Sequence, residues 1–341
     1  MLDILCLGPQ WRGSNAGGLF RALLRQGCRI DIVDEFYEIP LCAKSIIPRV
    51  LSRIARQSFI KEYNNRILEH AKVFDPQIVF VYKGAFVLPS TLFELRKRNY
   101  LLANFYPDVS FHNHGSLLQK TLPLYDLTFT TKTFGRHDMQ EQLGITQSVF
   151  IPHGFDPEIH RPMEDTTSTF SCDVSFIGTW SPKKERYLKG VIDALPGVDL
   201  NIWGSQWEQS NLPSKHLKYT TVVGDLYSLA INSSKINLSL LLERVRGASS
   251  GDLITSRTFH IPGAGGFMLH ERTSEVKRYF TEGEEMDCFQ DEEELVEQIQ
   301  KYLAHSDKRE IIAKKGHERA LKEHSLDHRA KEILKIISER I

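Results

Sequence analysis

What this chain of 341 residues lacks narrows it first. No apolar run reaches membrane-spanning length, and the opening Met1-Leu2-Asp3-Ile4-Leu5-Cys6-Leu7-Gly8 has neither the basic start nor the long apolar core of a signal peptide. The expectation is a soluble chain that meets a membrane at most peripherally. Net charge is absent as well: Lys+Arg and Asp+Glu both number 43, so no global field draws the protein to nucleic acid. Cysteine is sparse, and Cys6, Cys28, Cys42, Cys172 and Cys288 show neither the paired spacings of a zinc site nor a disulfide framework. That usage suits a reducing, cytoplasmic setting. Repeats and low-complexity segments are missing too.

Enough remains for two cores. Hydrophobic residues make up 41% and charged residues 25%, and the length suits two domains of about 150 residues each. Ile4 to Leu7 reads as a strand, followed by the small-residue loop Gly13-Ser14-Asn15-Ala16-Gly17-Gly18, a helical pattern and a second strand at Cys28 to Asp34. This is a βαβ unit, and it implies a parallel sheet. Its glycine spacing is not a strict dinucleotide fingerprint. Further strands are expected at Gln77 to Tyr82, Tyr100 to Phe105, Leu127 to Thr130 and Ser148 to Ile151, with helices at Phe59 to Phe74 and Phe134 to Leu143. A first domain over residues 1–162 follows, then a polar linker over 163–170.

A second series begins with a strand at Cys172 to Ile177 ending at Gly178. It continues at Val198 to Gly204, Ile236 to Leu240 and Gly266 to Leu269, giving a second domain over 171–322. Residues 323–341 form a terminal helix that packs back on the first domain. The acidic run Asp291-Glu292-Glu293-Glu294 reads as a helix N-terminus favoured by the macrodipole. The expected class is α/β, two Rossmann-like doubly wound domains facing a central cleft.

The richest segment is Arg257-Thr258-Phe259-His260-Ile261-Pro262-Gly263-Ala264-Gly265-Gly266. It reads as a short helix ending at a glycine cluster from which a buried strand departs. Glycines let a backbone approach a ligand closely, although Gly at a helix C-cap gives the same letters.

Several fragments together resemble the glycosyltransferases of the two-domain GT-B fold, particularly those similar to the spore maturation protein CgeB. Ile151-Pro152-His153-Gly154-Phe155-Asp156-Pro157 through Arg161-Pro162 is similar to that family's interdomain motif. Val174 to Gly178 with Ser181-Pro182-Lys183-Lys184 resembles its first strand and phosphate-facing loop, and Asn201-Ile202-Trp203-Gly204 its second strand. Ser234-Lys235-Ile236-Asn237-Leu238 resembles the strand before the donor loop, and Arg257 to Gly266 the Arg-x-Phe-Glu stretch with its glycine pair. Glu323-His324-Ser325 and His328-Arg329-Ala330 resemble its terminal helix. Where many relatives carry two glutamates eight positions apart, this chain has Asp252 and His260. The related Arg after the first Gly of the second domain is replaced by Thr179, and Arg257 stands as the substitute cation.

The resemblance implies transfer of a sugar from a nucleoside diphosphate donor, of UDP or GDP type, to a hydroxyl of a glycan or lipid-linked acceptor in cell-surface or spore glycan assembly. Such chemistry needs cations and N–H groups at the departing diphosphate. Lys184 and Arg257, with Gly265 and Gly266, are the candidates. Asn15, Gly17, Gly18, Gly178, Gly204, Asp252 and His260 complete the donor set. Asp108, His112 and His153 are the candidate catalytic residues, with His114 nearby, because each stands close to an expected strand end and is able to orient an acceptor hydroxyl or take its proton. No metal or other cofactor is expected: no Asp-x-Asp triplet occurs, and His112-Asn113-His114 lacks partners at zinc or nuclease spacing. A nucleotide-sugar epimerase of the same fold and a non-catalytic nucleotide-sugar-binding protein are the alternatives.

Overall fold

A computed structural model of the chain describes residues 1–35, 49–166 and 168–340. Cys42 and Thr167 lie outside the described residues, and Cys6, Cys28, Cys172 and Cys288 are free and buried. The chain forms two compact units: Met1–Pro152 with Val245–Ser250 and Arg329–Ile341, and His153–Arg244 with Gly251–His328.

In the first unit the order is β1 (Asp3–Leu7), α1 (Asn15–Arg25), β2 (Arg29–Val33), α2 (Arg49–Phe74), β3 (Ile78–Tyr82), α3 (Pro89–Arg96) and β4 (Leu101–Tyr106). It continues through α4 (Ser116–Thr121), β5 (Leu127–Thr130), α5 (Gly135–Leu143) and β6 (Ser148–Phe150). The strands make one parallel sheet in the order β2-β1-β3-β4-β5-β6. Parallel strands are covered on both faces, which is why β3 is the unbroken buried run Ile78-Val79-Phe80-Val81-Tyr82. Leu5, Val79, Val81 and Leu102 pack against Tyr63, Ile67 and Ala71 of α2.

The second unit holds β7 (Cys172–Ile177), α6 (Pro182–Ala194), β8 (Leu200–Trp203), α7 (Asp225–Asn232), β9 (Ser234–Ser239), α8 (Arg257–Gly263) and β10 (Met268–Glu271). After these come β11 (Asp287–Phe289), α9 (Glu292–Ala304) and α10 (Ser306–Glu323). Its sheet is also parallel, in the order β11-β10-β9-β7-β8. Ser181 caps α6 with Pro182 in its first turn, and Asp291 caps α9 by accepting from the Glu294 amide at 2.9 Å. The acidic run is therefore a helix start. The strand β11 was not expected from the sequence; its three residues are too few to show a period.

The last helix, α11 (Leu326–Ser338), enters the first unit after His328 and buries the stripe Ala330, Ile333 and Ile337. Arg340 then donates to the Gln147 side chain at 2.7 Å. Among the described residues no helix is long and apolar enough to cross a membrane.

One contact sets the C-terminal edge of the second sheet. A Cβ on Gly204 would lie 2.2 Å from the Gly178 carbonyl oxygen, so the turns after β7 and β8 meet backbone to backbone. Gly204 also has φ of +133°, and Trp207 Nε1 donates to the same Gly178 oxygen at 2.9 Å. Gly204→Ala is expected to destabilise the protein by about 2–4 kcal/mol through overpacking and backbone strain. Denaturant unfolding of the variant measures it, and a loss under about 0.5 kcal/mol would contradict this packing.

Candidate functional site

Open parallel sheets bind ligands outside the carboxyl ends of their strands, where the winding reverses. In the second sheet that point lies between β7 and β9. Arg257, the first residue of α8, spans it: the guanidinium donates to the Ile177 carbonyl, the last of β7, at 3.4 Å, and to the Leu240 carbonyl just beyond β9 at 2.6 Å. Its carbon lies 5.2 Å from the centre of the Phe176 ring. A Cβ on Gly178 would sit 2.8 Å from Arg257 Nη1, so glycine there makes room for the cation. Burial lowers the Arg257 pKa, and its Nε has no hydrogen-bond partner.

Lys184 stands beside it in the first turn of α6. It is buried, and its Nζ donates to the Thr179 carbonyl at 3.0 Å. Burial, followed by the charge of Arg257, lowers its pKa to about 8, while Asp252 and Glu243 act in the opposite direction. Glu243 is fixed by Ser181 Oγ at 2.8 Å, and Lys183 is paired with Glu271. Among the described residues no carboxylate comes within ion-pair distance of Lys184 or Arg257. Both cations rest on main-chain carbonyls, partners that do not neutralise their charge.

Further along α8, His260 is buried and stacks on His160 with ring centres 3.8 Å apart and planes 20° apart. Tyr227 meets both rings edge-on, at 5.8 and 5.5 Å. Burial holds the His260 pKa well below its usual value, with His160, His153 and Arg257 adding to the effect and the Gly154 carbonyl opposing it. His260 Nε2 and the Tyr227 hydroxyl are buried without hydrogen-bond partners. His160 Nδ1 accepts from the Asp156 amide at 3.0 Å. His153 therefore belongs to the second unit's cluster, as does Asp252, whose amide donates to the Leu242 carbonyl at 2.9 Å.

The glycines expected to line the diphosphate do something else. Gly265 donates to the Pro262 carbonyl at 2.9 Å and Gly266 to the Ile261 carbonyl at 3.0 Å, so both amides close the C-terminus of α8. Gly265 has φ of +88°, and a Cβ on Gly266 would lie 2.3 Å from Ile231 Cγ2. They stand where β10 begins, the sheet edge opposite Arg257, and line a cavity of about 230 Å³ with Asn232, Lys235 and Arg309. The expectation that they join Lys184 and Arg257 is thus corrected. Gly178 and Gly204 adjoin the cations, but their amides are bonded to the Trp203 and Thr220 carbonyls at 2.9 and 3.0 Å. They serve by close packing.

In the first unit, Asn15 opens α1 and Ser14 caps it, taking the Gly17 amide on its hydroxyl and the Gly18 amide on its carbonyl, each at 2.9 Å. These two glycine amides are likewise committed within the helix. Past the ends of β3 and β4, Asp108 Oδ2 lies 2.8 Å from Lys83 Nζ and 2.9 Å from His114 Nε2. Burial alone would raise the Asp108 pKa, but the His114 hydrogen bond and the Lys83 charge outweigh it and hold the carboxyl well below the usual range. Lys83 has φ of +64°, a conformation rare for a side chain of its kind. Glu35, beyond β2, is raised to about 7 by burial. His112 is turned elsewhere: its Nε2 is 2.8 Å from Gln142 Oε1, and its ring covers Gly247 so closely that a Cβ there would be 2.2 Å away. Sequence reasoning missed Lys83, Glu35, Glu243, His160 and Tyr227. Lys83 was within reach, because it directly follows an apolar strand and precedes Gly84. Among the described residues no group of three or more His, Cys, Asp or Glu could hold a metal ion.

The buried histidines set a pH dependence. The pKa of His270, fully buried between Thr258 Oγ1 at 2.9 Å and the Glu271 carbonyl, falls to about 4 through burial, and that of His260 is depressed likewise. The unfolded chain then binds more protons than the folded one below the ordinary value of 6.5, so stability is complete above it and is lost as pH falls towards the folded values. His270 should cost about 2 kcal/mol between pH 7 and pH 5, and His260 acts in the same direction. Urea unfolding across that range tests this, with His260→Phe expected to flatten the slope and an unchanged slope counting against the assignment.

Residues 183–335 match the family described as "Glycosyl transferase-like". No curated protein matches the sequence. Among solved structures, the chain is similar to a sucrose-phosphate synthase from Thermosynechococcus elongatus, with 11% identity, 99% of each chain covered and a TM-score of 0.68. It is also similar to a glycosyltransferase from Rickettsia africae ESF-5, with 12% identity, a TM-score of 0.63 and coverage of 99% of this chain and 98% of that one. Anabaena Alr3699/HepE in complex with UDP-glucose is similar at 12% identity and a TM-score of 0.63, covering 99% of this chain and 100% of that one. The two parallel-sheet units have the GT-B fold, and residues 183–335 within them match the glycosyl transferase-like family.

Proposed function

We propose that the protein is a glycosyltransferase that moves a sugar from a nucleoside diphosphate donor to a hydroxyl acceptor. The observation that carries this reading is the pair Lys184 and Arg257 at the strand ends of the second sheet, cations with no carboxylate partner among the described residues, at the point where such sheets bind ligands. Breaking the bond between anomeric carbon and phosphate oxygen leaves its electron pair on the diphosphate, and positive charge already fixed there stabilises the transition state. The acceptor oxygen forms the new bond to carbon, and its proton passes to a base or to the departing phosphate. With two cations doing this work the reaction needs no metal.

The match over residues 183–335 and the structural likeness to HepE, which was solved with UDP-glucose, support a nucleotide sugar as donor. Asp108, with His114 on its carboxylate, and His153 are the candidate acceptor-side groups. His112 is committed to Gln142 and serves better as a structural residue. Cell-surface or spore glycan assembly is the proposed setting, and the cytoplasm the proposed compartment.

A thermal-shift screen with UDP, GDP, CMP and their sugar conjugates should reveal selective stabilisation. Arg257→Ala is expected to weaken binding of the selected nucleotide by about 30-fold or more, the loss of at least about 2 kcal/mol on removing a buried phosphate partner. Sugar transfer should persist in excess chelator. Near wild-type turnover by Arg257→Ala, or turnover of the donor at full rate with no acceptor present, would set this reading aside, the latter in favour of an epimerase.

A further inference from the structure

Lys184 is the one member of the cation pair whose charge is conditional. Arg257 keeps its proton at any ordinary pH because its charge is delocalised over the guanidinium. Lys184 has a localised ammonium and is 5% exposed. Its Nζ has a single hydrogen-bond acceptor among the described residues, the Thr179 carbonyl at 3.0 Å. Four charged groups act on it: Arg257 and Lys183, which oppose its charge, and Asp252 and Glu243, which favour it. None of these carboxylates is close enough to pair with it, Glu243 being held by Ser181 and Lys183 being held by Glu271. An ammonium in such a place gains little from its surroundings until an anion arrives.

We infer that Lys184 is a proton-coupled clamp for the donor's diphosphate: with no anion bound it is held partly as the free amine, and a diphosphate arriving at the strand ends beside Arg257 draws a proton from solvent onto Nζ. The inference rests on the reading of the Lys184–Arg257 pair as a diphosphate site and adds to it the protonation change that accompanies binding. The proton adds to the nitrogen lone pair and nothing else is consumed. Diphosphate binding and proton binding are then linked, each strengthening the other by the same factor. The burial that lowers the lysine places the change near pH 8.

The test uses the intact protein with UDP and, in parallel, GDP as probes. Calorimetric titration at pH 8 in two buffers of different ionisation enthalpy should show uptake of a fraction of a proton per nucleotide bound, falling towards zero at pH 6.5. From a value near 8, affinity should be about tenfold weaker at pH 9 than at pH 7. Lys184→Arg, whose charge is permanent, should still bind while losing both the buffer dependence and the decline above pH 8. Lys184→Met should bind weakly with no proton uptake. Nucleotide binding by the wild type with heats identical in the two buffers would overturn this inference and leave the functional reading standing. Proton uptake undiminished in Lys184→Arg would overturn it as well. If neither nucleotide binds, the functional reading fails and this inference fails with it.

Discussion

A guanidinium resting on two strand-end carbonyls organises the second unit. Arg257 reaches back from the start of α8 to the last residue of β7 and to the residue after β9, and in doing so it dictates what its neighbours are. Gly178 has no side chain because Arg257 Nη1 occupies that space. Phe176 presents its ring to the cation. The charge reaches Lys184, whose proton it loosens, and His260, which it helps to keep neutral. A carboxylate in ion-pair contact would satisfy the guanidinium and abolish these effects, and among the described residues there is none.

The glycines show how one residue type serves distinct physical ends. Gly178 and Gly204 permit main chains to touch, and Gly265 permits the positive φ that turns the chain out of α8. None of Gly178, Gly204, Gly265 and Gly266 offers its amide outward, because each amide is bonded within the unit. An anion at these turns would meet side chains rather than a main-chain cradle. The same holds at α1, where Ser14 takes the amide of Gly17 that a phosphate would otherwise have met.

Much of this was legible in the sequence. The apolar run Ile78 to Tyr82 announces a buried parallel strand by hydrophobic continuity alone, and the end of α8 at Gly263 is written in the glycines that close it. Lys184 and Arg257 could be named because each lies near a strand end within a recognisable segment. What the letters do not carry is the partner of each polar group. Whether Gly266 offers or spends its amide depends on the Ile261 carbonyl, and the stack of His160 on His260 joins residues far apart in the chain. His112 and His114 differ by two positions yet part ways entirely, one covering Gly247 and the other bonded to Asp108. A helical turn decides that, and spacing alone does not reveal it.

The two units handle charge in opposite ways. In the first, Asp108 is paired with Lys83 and lies against His114, and Lys83 itself has a positive φ. Such a cluster has no net appetite for an ion, but its fixed carboxylate and imidazole provide preset hydrogen-bonding sites of the kind that sort hydroxyl groups. In the second, Lys184 and Arg257 repel one another and are compensated only at a distance by Asp252 and Glu243. A neutral sugar hydroxyl would not relieve that repulsion, whereas a diphosphate would. The second unit thus carries positive charge that its own carboxylates do not pair, and the first a carboxylate already paired; the proposed donor and acceptor roles follow that difference.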